Sequence, residues 1–197
     1  MKTAAMKLTV AEQEYLLDLA RKVLLEFVRS GGQPPVGESS LNPALREPRG
    51  CFVTLTRHDE LRGCIGNIQA RDPLYRAVIH NACGAAFRDS RFSPVSGTEI
   101  PDLEIEISVL TEPTPLVVAS PQELLQKLRP EVDGVVLKAE GRTATFLPQV
   151  WEKFSDAASF MDELARKALL PASAWREPGA VVLTYQVESF ADVRPGG

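Results

Sequence analysis

Histidine and cysteine are scarce in this 197-residue chain, which holds two of the first, His58 and His80, and three of the second, Cys51, Cys64 and Cys83. A structural zinc site would need four ligands from these five residues, none of them at the usual close spacing, so no metal and no cofactor is expected. An odd number of cysteines without a CxxC pair disfavours a disulfide framework equally. Long apolar runs are also missing. The longest stretch free of Asp, Glu, Lys and Arg is Ala77 to Phe87, only 11 residues, against the ~18 to 20 that a spanning helix requires. No membrane span is expected, and because Met1 to Val10 lead into an acidic segment with no apolar h-region, a cytoplasmic location is expected. A basic surplus is lacking too. The formal net charge is -4, with 13 basic and 10 acidic residues over 1–98 and 9 and 16 over 99–197. Proteins that track phosphates present a strong basic excess, so nucleic acid is disfavoured as a ligand. There is no Gly-rich phosphate loop, no Walker lysine and no Ser-centred nucleophile elbow, which removes support for nucleotide hydrolysis and serine chemistry.

What is present is a globular composition, 44% hydrophobic and 24% charged, enough to bury a core without staples. Residues 9 to 29 carry Leu16, Leu19, Ala20, Val23, Leu24 and Phe27 at helical period, with Thr9 and Glu12 as a capping box and Gly31-Gly32 as the stop. A loop rich in Pro and Gly follows to Pro48. Cys51 to Arg57 and Leu61 to Gln69 read as a hairpin around His58-Asp59-Glu60. Setting Arg57 opposite Leu61 places Val53, Leu55, Leu61 and Ile65 on a core face and Thr54, Thr56, Arg62 and Cys64 on the other. Asp72-Pro73 predicts a helix start with Asp at the cap, running to about Phe87. Leu103 to Leu110 alternates as a half-buried strand, and Ser120-Pro121 opens a short helix. Val132 to Glu140 and Arg142 to Leu147 form a second hairpin, Ser155 to Leu170 is helical, and Val181 to Val187 is a final strand. Hairpins mixed with helices, without regular strand–helix alternation, predict an α+β fold with a mainly antiparallel sheet and flanking helices.

The segment Leu61-Arg62-Gly63-Cys64-Ile65-Gly66 is the most unusual in the chain. Glycines inside a strand mark a bulge or the close approach of a ligand or another backbone, here Gly63 and Gly66. Cys64 sits between them, two residues from Arg62, whose guanidinium would favour a thiolate. Thr54 shares that face. Glu104 and Glu106 share one face of their own strand and would serve as a carboxylate pair if they do not simply meet solvent. His80 and Cys83, at i and i+3 on the Ala-rich helix, read better as buried side chains than as ligands.

The hexapeptide LRGCIG resembles the signature of the AMME chromosomal-region family, whose bacterial and archaeal members are called AmmeMemoRadiSam system protein A. AFRDSRF at 86 to 92, LEIEISVL at 103 to 110, and then DGVVL, ATFLPQVW and FMDELARKALL are similar to further blocks of that family in the same order. The match covers about residues 10 to 190. It departs at Ser90, where the family has proline, and at Ala168-Leu169-Leu170, where it usually reads Ala-Gly-Leu. The resemblance implies one domain over 1–197 in which a larger lobe, with an antiparallel sheet, meets a smaller lobe to form a cleft. It also implies action beside a Memo-like protein and a radical-SAM protein, and names no reaction. Two functions follow as expectations. One is an accessory or binding protein for a small anionic ligand, with Arg62, Gly63, Gly66, Thr54, Glu106 and Arg91 as binding residues. The other is an enzyme with Cys64 as nucleophile or acid/base in a cleft lined by Arg62. Asp89, Arg91 and Phe92 should anchor the end of the Ala-rich helix, with Arg91 paired to a carboxylate and Phe92 packed into the lobe junction.

Overall fold

The computed structural model describes residues 7–192. In chain order the first elements are α1 (Val10–Ser30), α2 (Pro43–Arg46), β1 (Cys51–Arg57), β2 (Glu60–Asn67), α3 (Leu74–Phe87) and β3 (Glu104–Leu110). Then come β4 (Thr114–Pro115), α4 (Pro121–Lys127), β5 (Gly134–Ala139), β6 (Arg142–Phe146), α5 (Ala157–Lys167), β7 (Val181–Tyr185) and β8 (Val187–Ala191). The fold is α+β, with two four-stranded antiparallel sheets ordered β2-β1-β3-β8 and β4-β7-β5-β6. They belong to two compact units, Thr111–Val187 being inserted between the two stretches of chain that build the other. Among the described residues no helix is long and apolar enough to cross a membrane.

In the first unit the capping box forms as the sequence predicts: Thr9 N–H donates to Glu12 Oε2 at 2.7 Å, and Glu12 N–H donates to Thr9 Oγ1 at 3.3 Å. Two donors that a helix start leaves unpaired are thereby satisfied. The stripe Leu16, Leu19, Ala20, Val23 and Leu24 is buried with the α3 residues Val78, Ala82 and Ala85 and with Val53, Leu55, Ile105 and Ile107 of the sheet. Each of the Val, Leu and Ile side chains among them contributes roughly 1.5–3 kcal/mol by leaving water, and each alanine less. The start of α3 differs from expectation: its cap is Pro73, with no side-chain capping bond, so Asp72 does not fill that role.

The hairpin register also differs in part. Residues from Cys51 to Leu55 pair as predicted, Val53 with Ile65 and Thr54 with Cys64, but a bulge between Leu55 and Thr56 then sets Thr56 opposite Leu61 and Arg57 opposite Glu60. Leu61 is therefore turned out, 43% exposed, and is not core. The turn is the two-residue His58-Asp59, both with positive φ, a geometry that matches strand twist. β1 lies inside the sheet beside β3, whereas β2 is an edge strand.

The second unit packs α5 on its sheet through Phe160, Met161 and Leu164. Trp151 stacks on Phe160 with ring centroids 3.6 Å apart, and its Nε1–H donates to the Asp133 carbonyl at 2.7 Å. The end of α5 is a two-bond C-cap: Leu170 N–H donates to Ala165 O at 3.0 Å and Leu169 N–H to Arg166 O at 2.8 Å. This motif puts its C′ residue in the left-handed region, where glycine is favoured; here it is Leu169, with φ 60 and 79% exposed. The Leu169→Gly variant should raise the urea midpoint, gaining up to about 1 kcal/mol from relief of the left-handed side-chain clash. An unchanged or lowered midpoint would contradict the strain.

Candidate functional site

The site starts from an edge-strand problem. In an antiparallel pair alternate residues point their N–H and C=O away from the partner, and on an edge strand those groups need another source of hydrogen bonds. Cys64 is such a residue. Its N–H donates to Asp89 Oδ2 at 2.9 Å, and its carbonyl accepts from Arg91 Nη2 at 3.2 Å. Arg91 in turn grips Asp89, Nε to Oδ1 at 2.9 Å and Nη2 to Oδ2 at 2.7 Å. Two side chains thus stand where a neighbouring strand would. The pair is presented by a turn after α3, closed by Phe92 N–H to Asp89 O at 3.1 Å, with Arg91 N–H donating to Asp89 Oδ1 at 3.1 Å. Asp favours the first position of such turns and proline the second. Ser90 occupies that second place, and the turn closes without the ring.

The Asp89 side chain is only 5% exposed. The Arg91 guanidinium, followed by the N–H groups of Cys64 and Arg91, holds its carboxyl well below the usual carboxylate range despite burial. Arg91 is paired with a carboxylate, as expected. Phe92 is half-buried, with the Arg91 guanidinium 5.5 Å from its ring centroid, and is not part of the buried core of its unit.

On the face away from α1 and α3, Cys64, Thr54 and Glu106 form one rung across three strands, Cys64 opposite Thr54 and Thr54 opposite Glu106. Thr54 Oγ1–H donates to Cys64 Sγ at 3.4 Å. Ser108 Oγ–H donates to Glu106 Oε1 at 3.3 Å and lies 2.9 Å from Ser189 Oγ. Cys64, Thr54 and Glu106 are half-buried. Cys51 and Cys83 are buried, and burial pushes the Cys51 thiol up to about 12 and the Cys83 thiol upward. Cys64 is thus the one cysteine of the three that is not fully buried.

Arg62 does not join this rung. The bulge turns it to Glu99, Nε to Oε1 at 2.9 Å and Nη2 to Oε2 at 3.3 Å, and its Nη1 donates to the Ser93 carbonyl at 2.9 Å. Arg57 approaches the same Glu99 oxygen at 3.6 Å, and the Arg62 guanidinium with the Ser96 N–H lowers the Glu99 carboxyl to about 2. The cation beside Cys64 is Arg91. The two glycines have packing roles. A Cβ on Gly63 would sit 2.1 Å from the Ala85 carbonyl oxygen, so β2 and α3 touch backbone to backbone there, and a Cβ on Gly66 would sit 2.3 Å from the Phe52 ring. Asp89 was expected from the sequence as an anchor of the end of the Ala-rich helix, and its place in the site, on the Cys64 amide, was not.

Among the described residues no three His, Cys, Asp or Glu side chains gather as a metal site. A groove of about 410 Å³ lies in the second unit, lined by Val117, Val118, Trp175, Pro178, Val181 and Val182 among others. It opens where β4 and β7 separate after Leu116 N–H donates to Val182 O at 2.9 Å, and none of the candidate residues lines it.

The fold and site define a two-sheet α+β protein with a half-buried cysteine whose backbone is clasped at a strand edge. The chain belongs to the AMMECR1 family, whose profile matches residues 17–190. It is 36% identical to Protein MK0488 of Methanopyrus kandleri over 195 residues, covering 97% of this chain and 93% of that protein. It is 37% identical to a protein of Thermococcus onnurineus, covering 93% of this chain and 92% of the relative. The crystal structure of the uncharacterized protein PH0010 from Pyrococcus horikoshii superposes with a TM-score of 0.83 at 33% identity, covering 91% of this chain and 90% of that one.

Asp89 and Glu99 both titrate lower folded than unfolded, so their stabilisation is complete above the unfolded carboxylate values and is lost as pH falls through the folded ones. The unfolding midpoint in urea should fall steeply below about pH 4, and Asp89→Asn should flatten that acid limb while lowering stability near neutrality. An acid limb identical in wild type and variant would contradict the clasp.

Proposed function

We propose that the chain is an accessory protein that binds a small anionic molecule at the strand edge beside Cys64, in a cytoplasmic pathway shared with a Memo-like protein and a radical-SAM protein. The observation that carries the ligand reading is Arg91. Its side chain is 54% exposed, its Nε and Nη2 hold Asp89 and Cys64, and its Nη1 donors meet no acceptor among the described residues. A guanidinium fixed on one side and open on the other is pre-organised for a carboxylate or phosphate. Gly63 and Gly66 shape the backbone that presents Cys64, and Thr54 and Glu106 extend the surface. The partners rest on the family resemblance alone.

A second reading, Cys64 as nucleophile, is favoured by the Thr54 hydroxyl on its sulfur. A catalytic thiol ordinarily has an adjacent base. His58 lies in the β1–β2 turn and His80 faces solvent from α3, so binding is the reading the geometry supports better.

Titration with inorganic phosphate and with succinate, followed by NMR shifts of the Cys64 and Arg91 amides, separates the two arginines. Arg91→Gln should weaken binding about tenfold or more through loss of a charge-assisted contact, Arg91→Lys should retain part of it, and Arg62→Gln should leave it within about twofold. Loss of binding in Arg62→Gln with retention in Arg91→Gln would overturn the assignment.

A further inference from the structure

The face that carries Cys64 has oppositely charged ends. At the β2 edge stands Arg91, paired with Asp89 through Nε and Nη2 and 54% exposed, so that its Nη1 remains open to an acceptor. Two strands away, on the same rung, stands Glu106. At the usual spacing of neighbouring strands, the Cα atoms of Cys64 and Glu106 are about 10 Å apart. Glu104, opposite Thr56 and on the same face of β3, adds a second exposed carboxylate. The other arginines of this hairpin do not offset these charges, because Arg62 is held by Glu99 and Arg57 by Asp102 and Glu99. Glu106 is itself held in place: Ser108, 2% exposed, donates to its Oε1 and is braced by Ser189. No described residue supplies a cation to Glu106. Between the two charged ends lie the Cys64 thiol and the Thr54 hydroxyl, both uncharged hydrogen-bonding groups of modest size.

An anion bound by Arg91 and extending along this rung would bring its far end against Glu106 and Glu104. A second negative charge there is repelled, a neutral apolar end leaves the carboxylate without a partner, and a cation is attracted. We infer that the ligand of this face is dipolar: a carboxylate or phosphate held by Arg91, which stands outside Cys64 on the open edge of β2, and an amine or guanidine held by Glu106, two strands further in, with its uncharged middle over Cys64 and Thr54. The inference rests on the anion-binding reading and adds to it the second recognition element and the sign of the far group.

The test uses the full chain and a matched pair of probes, 8-aminooctanoate and octanoate, which share the anionic group and chain length and differ in the terminal ammonium. Affinities are read from NMR titration of the Cys64, Thr54 and Glu106 amides. The dipolar probe should bind about tenfold more tightly than octanoate, the gain expected from one charge-assisted contact. Glu106→Gln, close to isosteric, should abolish that advantage without weakening octanoate. Arg91→Lys should weaken both probes together. Shortening the probe to 4-aminobutanoate should lose the advantage, because its ammonium cannot reach Glu106. Equal binding of the two long probes, an advantage that survives Glu106→Gln, or no binding of 8-aminooctanoate at tens of millimolar would overturn the dipolar ligand. If instead Arg91→Gln leaves octanoate binding unchanged, it is the underlying anion site that fails.

Discussion

The hydrogen bonds that Asp89 and Arg91 make to the backbone of Cys64 are the constraint on which the site depends. β2 is an edge strand, and an outward amide and carbonyl on such a strand either go to water or recruit another strand. Here a buried carboxylate takes the amide and its own arginine takes the carbonyl, so the edge is closed at one residue without a further strand. The same contacts fix the Cys64 Cα and hence where its sulfur stands relative to Thr54. They also tie the strand to the end of α3, whose backbone approaches β2 so closely at Gly63 that any side chain there would collide with Ala85. Helix, turn and strand edge are coupled through one ion pair.

That coupling accounts for the charge arrangement. With Asp89 on one side of it, Arg91 keeps a face toward solvent, while Arg62, turned by the bulge, is neutralised by Glu99. The positive end of the rung thus comes from a residue beyond the strand, and the negative end from β3.

Much of the fold was legible in the sequence because local signals and periodicity decide it. The capping box at Thr9, the apolar stripe of α1 and the alternation of β3 all appear where the pattern put them. The pairing from Cys51 to Leu55 followed from alternation, and failed beyond it because a bulge is set by contacts distant in sequence, Gly63 on α3 and Arg62 on Glu99. No two-residue periodicity carries that information. The site was half legible for the same reason. Cys64, Thr54 and Glu106 share a face by strand alternation, whereas the choice of Arg91 over Arg62 depends on a turn 25 residues from Cys64. The two departures from the family pattern are resolved locally: Ser90 occupies a turn position that tolerates it, and Leu169 accepts a left-handed backbone at an exposed helix end.

Hydrogen exchange at the Cys64 amide tests the clasp most directly. On the outer side of an edge strand an amide without a protein acceptor exchanges as rapidly as an exposed loop. With Asp89 as its acceptor, the Cys64 amide should be protected to nearly the same degree as Thr54 in the interior strand, and Asp89→Ala should strip that protection while leaving Thr54 protected. A Cys64 amide that exchanges at the exposed rate in the wild-type chain, or that stays protected in Asp89→Ala, would contradict the account.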